Sequence, residues 1–137
     1  MLKKIFIPML CFSIILSFCF ISKAPVFKGY AKTFQVYKFD SASSNFLTVS
    51  ELEYYFVGKI KGESFSMDSK DFNLEQFLKS FNAKVLMVEK IAHGASIYAF
   101  SPQIRYRNSI GGHTINLHIF LGGNTVTVGA PLIYGSF

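Results

Sequence analysis

The chain of 137 residues reads as an α+β fold: a single-layer antiparallel sheet with one packed helix, in the order β-β-α-β-β-β-β. Three observations predict it. Leu74, Phe77, Leu78 and Phe81 recur at i, i+3, i+4 and i+7, which puts four apolar side chains on one helical stripe. After that stripe the apolar residues come in short runs divided by turn formers, and Ile115, Leu117, Ile119 and Leu121 alternate with Thr114, Asn116, His118 and Phe120. The composition, 50% hydrophobic and 17% aromatic with 16% charged, belongs to a folded chain, because disorder goes with few aromatics and high charge. A helix with one apolar stripe buries it on a sheet face, which makes a layered α+β architecture.

A leader precedes that fold. Met1-Leu2-Lys3-Lys4 is basic, and residues 5–21 carry no charge and are broken only by Pro8, Ser13 and Ser17, the pattern of an export signal. As a helix this run reaches roughly 26 Å, a little short of the roughly 30 Å hydrocarbon core. Lys3 and Lys4 stay in the cytoplasm by the positive-inside rule, so everything after Lys23 is expected outside. Ser22-Lys23-Ala24 has small residues where a signal peptidase reads them but is followed by Pro25, and Gly29-Tyr30-Ala31 is the more distant alternative. Leu16-Ser17-Phe18-Cys19 half matches a lipoprotein signal, with Phe18 where a small residue belongs. Residues 1–24 are therefore assigned as signal peptide or N-terminal membrane anchor, with membrane contact through residues 5–21 if uncleaved, and 25–137 as a single domain.

Both cysteines, Cys11 and Cys19, lie in the leader, which excludes disulfides, cysteine nucleophiles and Cys-ligated zinc downstream. The formal charge of +6 also belongs partly to the leader, because residues 25–137 keep 11 basic and 8 acidic side chains, a balance of +3. A mildly basic domain suits anionic wall polymers or lipid headgroups, and it has no block of like charge that would mark a nucleic-acid arm.

Residues 30–39, with Phe34, Val36 and Tyr37, read as a strand or extended arm, and Asp40-Ser41-Ala42-Ser43-Ser44-Asn45 as a polar turn. Residues 46–60 read as one long or bent strand, with Gly58 and Gly62 as bulge and exit; a short helical turn starting at Ser50-Glu51-Leu52-Glu53 is the alternative. The helix is expected near residues 72–82, with Asp68, Ser69, Asp71 and Asn73 as caps or first-turn charges, Lys79 near its end and Asn82 as a left-handed stop. Residues 85–91 and 95–100 form a hairpin around Ala92-His93-Gly94, Pro102 ends the second strand, and residues 103–112 read as an exposed loop, with a short extended piece within it as the alternative. The alternating run 114–121 then turns through Gly122-Gly123-Asn124 into Thr125-Val126-Thr127-Val128. The four strands after the helix suggest a meander whose second face is solvated or covered by something outside the chain.

Chemistry-bearing residues are sparse. His113 and His118 differ by five and point to opposite faces of one regular strand, while His93 sits in a separate turn, so these histidines, even with Glu89 or Asp71, make no metal set. Ser96 or Ser101 with His93 lacks the nucleophile elbow of a serine hydrolase. Glu51 and Glu53 share a face if their segment is a strand, the arrangement a glycosidase uses, but paired acids on a strand edge are ordinarily a solvent face. Gly111-Gly112 and Gly122-Gly123 lack the strand-to-helix context of a phosphate cradle. Tyr54, Tyr55, Tyr98, Tyr106, Arg105 and Arg107 have the types that stack on and contact nucleic acid, but an exported domain does not meet it.

Tyr98-Ala99-Phe100-Ser101-Pro102, Ile115-Asn116-Leu117-His118-Ile119 and Val126-Thr127-Val128-Gly129-Ala130-Pro131-Leu132-Ile133 together resemble the C-terminal part of the YwmB-like family, exported proteins of spore-forming Gram-positive bacteria. The resemblance implies a TATA-box-binding-protein-like fold, a name that reports shape and not DNA binding, and carries no established activity. The expectation is an exported, non-catalytic cell-envelope module that binds a protein partner or wall polymer, without cofactor, metal or nucleic acid. A secreted hydrolase acting on the cell wall is the alternative. Arg105, Tyr106 and Arg107 are the candidate partner-binding residues, since Arg and Tyr are enriched where interfaces carry energy.

Overall fold

The computed structural model describes residues 2–39 and 45–134, so the polar turn expected at 40–45 lies, except for Asn45, outside the described residues. In chain order the elements are helix α1 (Leu2–Ser22), strands β1 (Thr33–Lys38) and β2 (Leu47–Ser50), the short helix α2 (Glu51–Tyr54), strand β3 (Ile60–Asp68), a 3-10 turn at Ser69–Asp71 and helix α3 (Leu74–Ser80). Strands β4 (Lys84–Ile91), β5 (Gly94–Phe100), β6 (Asn108–Ile110), β7 (His113–Ile115), β8 (Leu117–Gly122) and β9 (Thr125–Ala130) follow. Seven strands form one sheet in the order β2-β1-β3-β9-β8-β5-β4, and β6 pairs with β7 in a separate hairpin. All ladder pairs are antiparallel, and the fold is α+β as its apolar periods predict. No helix among the described residues is long and apolar enough to cross a membrane.

Residues 46–60 do not make one strand. Ser50 caps α2 through a capping box, its hydroxyl accepting from the Glu53 amide while the Glu53 carboxylate accepts from the Ser50 amide, and this ends β2 after four residues. The helical alternative was therefore the right one. The chain then re-enters the sheet as β3, nine residues that carry no apolar run and were not anticipated as a strand. Its pairing with β1 slips between Tyr37 and Lys38, opposite Gly62 and Ile60. Gly62 thus marks a bulge within β3 rather than a strand exit, and a Cβ there would stand 2.8 Å from both the Ala130 carbonyl oxygen and the Tyr134 ring.

The alternating run 114–121 is likewise two strands. Asn116 breaks it, and its buried side chain holds the preceding loop: Nδ2 donates to the Ser101 and Ile104 carbonyls at 2.6 and 3.1 Å, and Oδ1 accepts from the Ser101 amide at 2.7 Å. The expected loop 103–112 accordingly contains β6 and the start of a hairpin that turns at Gly111 and Gly112, both at positive φ.

The core lies on one face of the sheet, where Phe34, Val36, Phe65, Ile97, Ala99, Leu117, Ile119, Val126, Val128 and Ala130 meet α3, α2 and residues 26–31. Helix α3 covers this face as its stripe predicts: Phe77 is buried, and Leu74, Leu78 and Phe81 are half-buried against the same cluster. Asn73 caps its start by accepting from the Gln76 amide, and Asn82, at φ 47°, turns the chain out, as expected of that residue. Helix α3 connects β3 to β4, which have three strands between them, so it runs beneath the sheet it packs on.

The second face is partly covered by the chain itself. After Ala130 the backbone folds back over β9, so close that a Cβ on Gly129 would meet Leu132 and Ile133 at 2.7 Å. The Ile133 amide donates to Nδ1 of His118, and Tyr134 packs on Tyr37. His118, buried and stacked on Tyr98 with centroids 4.5 Å apart, has its pKa pushed down to about 4 by burial.

Two outcomes are expected. Phe77→Ala should cost about 3–5 kcal/mol in urea unfolding, because it empties the centre of the aromatic cluster under the sheet. An unfolded chain protonates His118 near its ordinary value and the folded chain only near 4, so the stability His118 contributes is complete above about pH 6.5 and is lost as pH falls towards 4. Unfolding midpoints at stepped pH should show the native chain losing up to about 3 kcal/mol more than His118→Gln over that window.

Candidate functional site

Glu63 sits in the middle of β3, paired with Val36 of β1 and Ala130 of β9, and its side chain is wholly buried on the core face. Both carboxylate oxygens are used. Oε1 accepts from the backbone amides of Val26 at 2.6 Å and Phe27 at 3.3 Å. Oε2 accepts a short bond from the Tyr54 hydroxyl and a longer one, 3.3 Å, from the Tyr106 hydroxyl. Arg105 stands 3.9 Å from Oε2 and reaches it chiefly through the two hydroxyls, donating to Tyr54 Oη at 2.7 Å and Tyr106 Oη at 3.1 Å. Its other nitrogen donates to the Ala24 carbonyl at 3.0 Å.

The result is a bolt. One carboxylate in the central sheet holds the segment that follows α1, the end of α2 and the loop after β5. Burial raises the Glu63 pKa, against the opposing pull of the Tyr54 hydroxyl, the Phe27 amide, Arg105 and the Val26 amide. Burial also lifts the Tyr54 and Tyr106 hydroxyls, Tyr106 to about 12, so both remain donors. Arg105, which burial would bring down, is held up by Tyr106, Tyr54 and Glu63. A carboxylate with every acceptor position engaged ties its donors together, and this cluster positions structure.

What it positions is an arm, residues 24–32. The arm turns at Gly29, whose φ of 88° suits glycine, with the Tyr30 amide donating to the Phe27 carbonyl at 3.0 Å. Phe27 enters the core against Phe65, Phe81 and Phe77, with centroids 5.1, 5.9 and 6.3 Å away. Tyr30 packs edge-on to Phe77 at 5.0 Å, and its hydroxyl lies 2.7 Å from Ser80 Oγ. Between Tyr30 and α3 this leaves a cleft of ≈ 190 Å³, lined by Tyr30, Met67, Phe72 and Phe77 with Asp71, Asn73, Gln76 and Ser80. An aromatic wall facing a rim of carboxylate, amide and hydroxyl groups has the chemistry to hold a sugar, the ring faces meeting C–H groups and the rim meeting hydroxyls.

The residues singled out from the sequence fall elsewhere. Arg105, exposed, and Tyr106, half-buried, reach the Glu63 cluster, and Arg107 donates to the Ile104 and Tyr106 carbonyls while lying over the Phe100 ring at 5.0 Å. All three side chains thus have internal partners. Glu51 and Glu53 lie on α2 and not on a strand: Glu51 pairs with Lys28 at 2.7 Å and Glu53 serves the capping box. Ser101 donates to the Phe81 carbonyl at 2.5 Å, a structural tie, and no group of three or more metal-ligating side chains converges among the described residues. Glu63 was missed, although its phase with Phe65 and Met67 in a period-two pattern marks it as inward-facing.

Glu63→Ala should destabilise the domain by about 3–5 kcal/mol, because it strands two arm amides and Arg105. Tyr54→Phe, which removes one donor, should cost about 1–3 kcal/mol. Urea unfolding checks both, and trypsin should cut at Lys28 faster in Glu63→Ala than in the native chain. Equal cutting rates would mean that the arm does not depend on the carboxylate. No family model, curated protein or solved structure matches this chain.

Proposed function

We propose that the chain is an exported, non-catalytic cell-envelope module that binds a wall polymer, with a partner protein as the other occupant of the same surface. The observation that carries this reading is the cleft between arm and α3, which Tyr30 and Phe72 line together with Asp71, Asn73 and Gln76. The uncharged leader at residues 5–21 and the mild positive balance of residues 25–137 support an envelope setting. The resemblance of the C-terminal strands to YwmB-like exported proteins points the same way. Arg105 and Tyr106, engaged with the buried carboxylate, serve the module by holding the arm, and the cleft takes the place of that loop as the binding surface.

Co-sedimentation of the full-length chain, in detergent, with purified peptidoglycan tests the proposal. Gln76→Ala should weaken binding roughly fivefold, the value of about one hydrogen bond, while leaving the unfolding midpoint in place. Asp71 is the one carboxylate among the described lining residues. Turnover of the polymer that disappears in Asp71→Asn would replace this reading with that of a secreted hydrolase. Binding unchanged by either substitution would remove the cleft from the proposal.

A further inference from the structure

We propose that Leu52 and Phe56 form a membrane-contact surface, seated in the headgroup–acyl boundary of the bilayer that holds α1. The inference rests on the reading of residues 5–21 as an anchor that stays attached. Helix α1 ends at Ser22, and the domain is fastened almost at once: the Lys23 ammonium donates to the Tyr55 carbonyl at 3.3 Å, the Ala24 carbonyl accepts from Arg105, and the Val26 amide is bound by Glu63. No linker separates helix from domain. Two residues span about 7 Å at most, so whatever lies beside Lys23 and Tyr55 stays close to the level at which the chain leaves the apolar helix.

Beside them are two large apolar side chains with nothing of this domain over them. Leu52 is 72% and Phe56 76% exposed, and they flank the Tyr55 carbonyl that Lys23 holds. They are four residues apart, Leu52 on α2 and Phe56 on the turn that continues it, where the Phe56 amide donates to the Glu53 carbonyl, a spacing that brings them to one side. The neighbouring acids do not oppose an anionic surface freely, because Glu51 is paired with Lys28 and Glu53 is folded onto Ser50. With Lys28 committed to Glu51, Lys23 and Lys32 bring two further cations, one just before the arm and one at its end. Apolar side chains with lysines at their margin are the chemistry of an interfacial contact, with the ring in the acyl boundary and the ammonium groups at the phosphates.

The chain contains no tryptophan, so a single introduced Trp is a clean reporter. Phe56→Trp, Phe12→Trp in α1 and Val88→Trp on the far edge strand β4 can be made in the full-length chain and reconstituted into vesicles of equal phosphatidylglycerol and phosphatidylethanolamine, with and without brominated acyl chains. Far-UV circular dichroism shows that each variant is folded. Emission from Phe12→Trp and Phe56→Trp should be blue-shifted and quenched by the brominated lipid, Val88→Trp should be unaffected, and adding Leu52→Asp to Phe56→Trp should reduce its quenching. Quenching at position 12 but not at 56 overturns the proposal and leaves the anchor standing. No quenching at position 12 removes the anchor reading and the proposal with it, and equal quenching at all three positions overturns it as non-specific adsorption.

Discussion

A single buried carboxylate holds together parts of this molecule that are far apart in sequence. Glu63 has no solvent exposure and sits among apolar neighbours, a position that by itself disfavours folding. It is tolerated because two backbone amides and two tyrosine hydroxyls converge on it, with a guanidinium behind the hydroxyls. The charge of Arg105 is thus delivered through polarised O–H groups, while the guanidinium itself keeps a partly exposed edge at the protein surface. Desolvation of one acid is offset by donors from three segments, and so the three segments are obliged to meet.

The cleft inherits its shape from that obligation. Tyr30 forms its wall only because the arm is pinned at Val26 and Phe27, and Phe27 has no other place in the core if the arm leaves. Cleavage after Ala31, one of the two sites the leader offers, would remove Phe27 and Tyr30 and uncover Phe65, Phe77 and Phe81. The arm therefore belongs to the domain physically, whatever becomes of the helix before it.

Legibility in the sequence followed the strength of each local pattern. The α3 stripe, the Asn82 stop and the turns at 92–94 and 122–124 are short-range features in which residue type and backbone demand coincide. Strand β3 fails that test. Its residues Lys61-Gly62-Glu63-Ser64 resemble a surface loop, and the period-two phase with Phe65 and Met67 that turns Glu63 to the core and Ser64 to Tyr37 rests on two apolar residues alone. The site was hidden for the same reason, since a charge in a core position becomes intelligible only when donors 9, 36 and 37 residues away are brought to it. The loop at 105–107 was legible only in part: Arg105 and Arg107 are exposed, as their types suit, but the reach of Arg105 and Tyr106 to a buried carboxylate 42 and 43 residues earlier has no local signal.

The position of the last strand has a kinetic consequence. Strand β9 lies between β3 and β8, so among the described residues strands β2-β1-β3 join the rest of the sheet only through β9. A polypeptide delivered N-terminus first, from a ribosome or through a translocation pore, has no continuous sheet to form until residues 125–130 have emerged. Contacts of such high sequence separation slow folding. Until those residues are available to pair with both β3 and β8, the two parts of the sheet have no strand to join them.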